Sequence, residues 1–336
     1  MARMRALALL ALATVACGKG ERIYVSDEDG GAIVVIDAST DEVVARVAVG
    51  KRPRGVRVAP DGSRLYVALS GTPKSPPGVE PASPPPADRS ADGIGIVDLG
   101  SLKLVALIPA GQDPEAFDLT KDGKRMWVSN EETAEASLVD LATNQVVKRV
   151  PVGKEPEGVT LHPDGKVVYV TNEADGTVSV LDADSGAVVT TIGTCSRPRA
   201  VVFTADGARG FVSCETAHAV ALVDARSHTK TGELDLPGQG VRPMGLAVSA
   251  DGRTVYVSGG RGKTVHVVAL DGTAAHVART IADAGARPWG VGVTRDGKTL
   301  FTANGQSGDV SVIDTASGQV RKKILVGGSP WGIAVR

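Results

Sequence analysis

Aromatic residues are scarce in this chain: four Phe, three Trp and four Tyr among 336 residues. Cysteine is scarcer still, with three, and histidine numbers five. Three Cys cannot staple a disulfide-rich scaffold, and no Cys-x-x-Cys-His is present to attach a c-type haem. No two His stand at a His-x-x-x-His spacing, so that common metal-ligand arrangement is missing. Neither sign of charge dominates. There are 37 basic and 38 acidic residues, net −1, which argues against a chain whose main task is gripping nucleic acid. No apolar run is long enough to cross a bilayer as a helix. What abounds is glycine, 41 residues, together with Val and Ala. With 42% apolar residues, that mixture points to many short strands, tight turns and a large core rather than to disorder.

The first residues have the form of an export signal. Arg3 and Arg5 precede an apolar stretch from Ala6 to Ala16 that ends in small residues, as a secretory signal peptide does. Residues 1–16 are expected to be removed. Thr14-Val15-Ala16-Cys17 resembles a bacterial lipobox, although Leu is usual where Thr14 stands. The expectation is an exported protein, periplasmic or tethered to the outer membrane through a lipid on Cys17. The alternative is plain cleavage after Ala16, leaving a soluble periplasmic protein.

A Pro-x-Gly/Ala motif then recurs, at Pro53, Pro114, Pro156, Pro198, Pro243, Pro288 and Pro330, with spacings of 61, 42, 42, 45, 45 and 42 residues. Periods of this size mean a solenoid or a propeller. Eight residues after each of the first six prolines comes Asp-Gly, a tight-hairpin signal. Thirteen residues after each comes an aromatic: Tyr66, Trp127, Tyr169, Phe211, Tyr256 and Phe301. A β-rich run ending in Asp follows, at Asp37, Asp98, Asp140, Asp182, Asp224 and Asp314, with Ala269 in the sixth repeat. Each unit reads as four short strands, and helical periodicity is absent. Four antiparallel strands repeated radially make a β-propeller. Six units are complete. The seventh is expected to join one C-terminal strand, Ile333–Val335, to three N-terminal strands, Arg22–Ser26, Ile33–Ile36 and Val43–Val49, which removes the open edge of a linear array. The fold class is therefore all-β, a seven-bladed propeller spanning 17–336. Residues 71–91 hold seven prolines and read as a loop insertion in the second blade.

Residues 169–172 are Tyr-Val-Thr-Asn. With the Asp-Gly turns and Val-x-Val-Ile-Asp runs, the chain resembles the YVTN-repeat β-propellers. Glu21–Ser26, Gly50–Gly55 and Pro330–Val335 are similar to segments of the exported propellers associated with pyrroloquinoline-quinone-dependent catabolism. The resemblance implies a seven-bladed, exported and mostly non-catalytic propeller.

Strand parity puts the Pro-x-Gly loops and the loops after the aromatic strand at one end, called the top. Residues flanking the prolines ring its mouth. Arg52, Arg54, Glu115, Glu155, Glu157, Arg197, Arg199, Arg242, Arg287, Trp289 and Trp331 are the candidate binding residues. Such a rim can hold an anionic or amphipathic ligand, Arg taking carboxylate or phosphate and Trp giving a flat wall. The competing structural reading is ion pairing between neighbouring loops, Arg54–Glu115 and Glu157–Arg199. Arg57 and Asp118 occupy the same position of adjacent inner strands and can pair. Carboxylates and amides after the aromatic strand (Asp27-Glu28, Asn130-Glu131-Glu132, Asn172-Glu173, Cys214-Glu215, Asn304) can bind a hard cation, but such residues more often satisfy turn backbones. No metal or cofactor is expected. Cys195 and Cys214 fall at the top of one blade, where a disulfide is expected.

Without a nucleophile motif, the leading expectation is a non-enzymatic envelope scaffold, monomeric, that binds an envelope protein or a small anionic ligand at the top rim. The alternative is a lactonase-like hydrolase or lyase using carboxylates at the mouth, with Glu115, Glu155 and Glu157 as candidates. A second alternative is single-stranded nucleic-acid binding by the Arg and Trp of the rim, although nucleic acid is not the expected partner. Membrane contact is expected only through the lipid on Cys17.

Overall fold

The computed structural model describes residues 20–74 and 85–336. The expected signal peptide, Cys17 and the middle of the Pro-rich insertion lie outside the described residues. The chain forms seven four-stranded antiparallel sheets arranged as a β-propeller. Blade 4 shows the pattern, with strands Pro156–Leu161, Val167–Asn172, Thr177–Asp182 and Val188–Gly193 running from the axis outward. Blade 1 closes the ring. Its innermost strand is the last of the chain, Pro330–Val335, paired with Arg22–Asp27 in the register Ile23 to Val335 and Val25 to Ile333.

Local chemistry explains the repeat. The Asp-Gly turns place Gly62, Gly123, Gly165, Gly207, Gly252 and Gly297 at φ between 67° and 76°, a region glycine enters without a Cβ clash. The preceding Asp accepts a backbone N–H two residues on, as Asp164 does from Lys166 at 2.8 Å. The aromatic of each second strand is buried and fills the gap to the next blade. Tyr169 packs with Val201, Phe203 and Val212, its ring edge-on to Phe203 at 4.8 Å.

Two residues beyond the aromatic, a hydroxyl ties neighbouring blades together. Ser26, Ser129, Thr171, Ser213 and Ser258 donate at 2.6–2.8 Å to the carbonyls of Arg54, Glu157, Arg199, Met244 and Trp289. Each acceptor is the middle residue of the next blade's Pro-x-Gly motif. The motif's small third residue has an equally local reason. A Cβ on Gly55, Gly158, Gly245, Gly290 or Gly332 would lie 2.4–2.7 Å from the next blade's carbonyl oxygen. The innermost strands therefore converge until little space is left, a central cavity of about 130 Å³ lined by all seven blades.

Cys195 and Cys214 form a disulfide, Cα atoms 5.8 Å apart, linking the entry of the first strand of blade 5 to the end of its second.

Candidate functional site

The top end is built by two loops per blade that hold each other. The residue four past the aromatic donates its N–H to the carbonyl of the residue before the motif proline: Glu131 to Asp113 at 3.1 Å, Glu173 to Glu155 at 2.9 Å, Glu215 to Arg197 at 2.9 Å and Gly305 to Arg287 at 3.1 Å. Five residues preceding a motif proline, Arg52, Asp113, Glu155, Arg197 and Arg287, have φ between 42° and 58°. That conformation is uncommon for a side-chain-bearing residue.

These loops carry a chain of ion pairs around most of the mouth. Arg52 meets Glu28 at 3.1 Å. Arg54 bonds Asp113 and Glu115 and lies 3.8 Å from Glu131. Arg199 bonds Glu157, Glu173 and Glu215, the last at 2.8 Å. Arg197 also bonds Glu173, and Arg242 reaches Glu215 at 3.7 Å. Both pairs expected between neighbouring loops are present. Their burial corrects one expectation, however. Arg54 and Glu115, proposed from sequence as contact residues, are each only 3% exposed. The packing of blade 3 against blade 2 covers them, so they are an internal latch rather than a surface. Glu155 is exposed, and no cation lies within salt-bridge distance of it among the described residues. Arg57 comes within 3.9 Å of Asp118. The ends of the Pro-rich insertion stand on the same face, Lys74 against Glu28 at 2.9 Å and Arg89 against Glu132.

On the blade 2–3 side, carboxylate oxygens of Asp113, Glu115 and Glu131 lie within 4.8 Å of one another. They could ligate a cation, but the guanidinium of Arg54 already bonds two of them, and a metal would have to displace it. Two of these acids, Glu131 and Asp113, are shifted in opposite directions. Burial, then the charge of Glu157, pushes Glu131 up to about 7, with Asp113 adding to the rise against the pull of Arg54 and Arg199. Asp113 is driven the other way. Burial alone would raise it, but Arg54 and the Ser70 hydroxyl hold it below its ordinary value. Neighbouring acids whose environments separate their pKa values are the arrangement acid–base chemistry requires. Glu131 was placed on this face by the sequence only as a cation candidate, and its pairing with Arg54 was not foreseen. The usable signal is its register four past Trp127, shared with Glu28, Glu173 and Glu215.

On blades 7 and 1, Trp289 and Trp331 stack, ring centroids 5.7 Å apart and planes at 23°. Arg287 and Arg199 lie over Trp289 at 4.6 and 5.7 Å. Both rings line the central cavity with Met244.

Two family models match parts of the chain. A YNCE-like β-propeller model covers residues 86–164, and a lactonase model, a seven-bladed β-propeller, covers residues 209–328. No curated protein matches the sequence. Among solved structures, the chain is similar to the periplasmic gluconolactonase of Pseudomonas aeruginosa, with 21% identity, TM-score 0.74, and 94% of this chain and 98% of that one covered. It is similar to hydrazine synthase of Kuenenia stuttgartiensis, with 22% identity, TM-score 0.74 and coverage of 87% and 92%. A candidate 6-phosphogluconolactonase of Bacteroides uniformis shares 15% identity at TM-score 0.77, with coverage of 95% and 100%. These identities establish a shared fold. The match of 209–328 to the lactonase model, with lactonases among the structural neighbours, overturns the expectation of a non-enzymatic scaffold and favours its hydrolase alternative.

Proposed function

We propose that this protein is a lactonase-like hydrolase that opens a cyclic ester at the top mouth of the propeller. The observation that carries the reading is Glu131, a carboxyl pushed up to about 7 at the channel mouth, within reach of Asp113, which is held below its ordinary value. A carboxylate of that basicity can take a proton from water near neutral pH. The water oxygen bonds to the ester carbonyl carbon, the ring C–O bond breaks, and the proton held by Glu131 passes to the departing alkoxide. Arg54 is fixed by Asp113 and Glu115, and its charge holds Asp113 below the ordinary carboxylate value. The lactonase model matches 209–328, which includes part of the rim but not Glu131.

The test is hydrolysis of δ-gluconolactone and aromatic lactones by the mature chain. Glu131→Gln is expected to lower kcat/KM by about 10²-fold or more. The parent rate should rise with pH through about 7, and that limb should vanish in the variant. Equal rates for the two proteins, or no lactone hydrolysis by the parent, overturns the reading.

We further propose that the protein is exported and held in the cell envelope, in keeping with its resemblance to YVTN propellers of quinone-dependent catabolism. The disulfide in blade 5 supports an oxidising compartment. Mass analysis of the mature N-terminus checks this. A lipid-bearing Cys17 that is lost in Cys17→Ser fits the anchored form, and cleavage after Ala16 without lipid refutes the anchor.

A further inference from the structure

The chain of paired charges breaks at blades 6 and 7. The position four past the aromatic holds Glu28, Glu131, Glu173 and Glu215 in four blades, but Gly260 and Gly305 in these two. The cause is steric. A Cβ on Gly305 would lie 2.9 Å from Cδ1 and 3.0 Å from Nε1 of Trp289, and one on Gly260 would lie 2.4 Å from the carbonyl oxygen of Arg242. At Gly305 the indole takes the space a glutamate would need. Among the described residues, Arg287 and Arg261 therefore have no carboxylate within 4.0 Å. Burial, then the like charge of Arg261, pushes Arg287 down from the ordinary guanidinium value; Arg199 adds to the fall, and Glu215 and Glu28, beyond salt-bridge distance, pull against it. Neither indole N–H of Trp289 and Trp331 has a hydrogen-bond acceptor among the described residues, whereas that of the buried Trp127 donates to Ala183 at 3.1 Å.

Arg261, Arg287 and the two indoles thus offer donors and flat apolar faces, and no acceptor. A sugar ring presents hydroxyls that donate as well as accept, and these side chains satisfy only half of that demand. A carboxylate on a conjugated ring suits all of it. Its oxygens accept from guanidinium and indole N–H, and its face lies on the stacked rings.

We infer that the sector formed by Arg287, Arg261, Trp289 and Trp331 binds a planar carboxylate, so that the substrate is an aromatic or conjugated lactone bearing an anionic group. This rests on the hydrolase reading and names its substrate class. In this reading the guanidinium side holds the anion, and the ester is presented to the acids of the same mouth.

The experiment reads binding without turnover. The mature chain is titrated with 4-nitrobenzoate, a ring that quenches indole emission. Two of the three Trp lie in the sector and Trp127 is buried elsewhere, so saturable quenching of most of the emission is expected. 4-Nitrobenzyl alcohol, the same ring without charge, should bind about 10-fold more weakly or worse, and Arg287→Ala should weaken nitrobenzoate by a similar factor. An unchanged melting curve for Arg287→Ala keeps that comparison clean, and Trp331→Leu gives a second, charge-neutral variant that should also lose binding. No saturable quenching, equal binding of acid and alcohol, or no effect of either variant overturns the proposal. If nitrobenzoate binds but no lactone is opened, the hydrolase reading falls and the binding sector stands. If lactones are opened and nitrobenzoate does not bind, the sector falls alone.

Discussion

His266 is fully buried in blade 6, its two ring nitrogens 3.1 Å from the hydroxyls of Thr264 and Thr280. Burial pushes its pKa down to about 4, against 6.5 for a free imidazole. Between those values the unfolded chain takes up a proton that the folded chain refuses. Stability therefore falls as pH drops through that window, by about 3 kcal/mol in all. Thermal melting from pH 7 to pH 4 should show this loss, and His266→Gln should flatten part of the slope. An identical slope in parent and variant would place the acid sensitivity elsewhere. Residue-scale roles differ in how far the sequence discloses them. Tyr169 was legible because its spacing repeats around the chain. Glu131 was visible as a polar residue of the top face, but its raised pKa comes from burial and then from Glu157 and Asp113, which other strands bring beside it.

At the scale of elements, the last strand decides whether the ring closes. Pro330–Val335 pairs with Arg22–Asp27, Gly332 donates to the Ser26 hydroxyl at 2.8 Å, and Ser329 donates to Asp27 at 2.9 Å. Deleting residues 330–336 would expose the edge of Arg22–Asp27, an open template for another chain. The truncated protein is expected to lose more than about 4 kcal/mol, the range of changes that break a core, and to associate in size-exclusion chromatography. A monomer with the parent's melting temperature would refute closure by this strand. Strand positions were largely legible, since Pro-x-Gly, Asp-Gly and the aromatic mark starts, turns and middles. Lengths were less so. The first strands of blades 2 and 6 are only Val56–Val58 and Leu246–Val248, shorter than their counterparts, although their motifs are the same.

For the whole molecule, periodic features and their interruptions played different parts. The sequence by itself determined the blade count, the antiparallel order, the closure of the ring and the identity of the top face. These follow from spacings within one unit, and neighbouring units repeat them, so local chemistry suffices. It also showed that Trp289 and Trp331 are the aromatics that packing leaves over. The sequence left two readings of the rim charges open, contact surface or ion pairing between loops, and tertiary structure decided between them. Arg54 and Glu115 are paired and buried as a latch, while Arg287 looked like its neighbours and has no acid within salt-bridge distance among the described residues. The reason is that an ion pair depends on distances of about 3–4 Å between side chains that are far apart in sequence and on different loops, and on whether the intervening volume admits a carboxylate. At blade 7 it does not, because an indole already stands there.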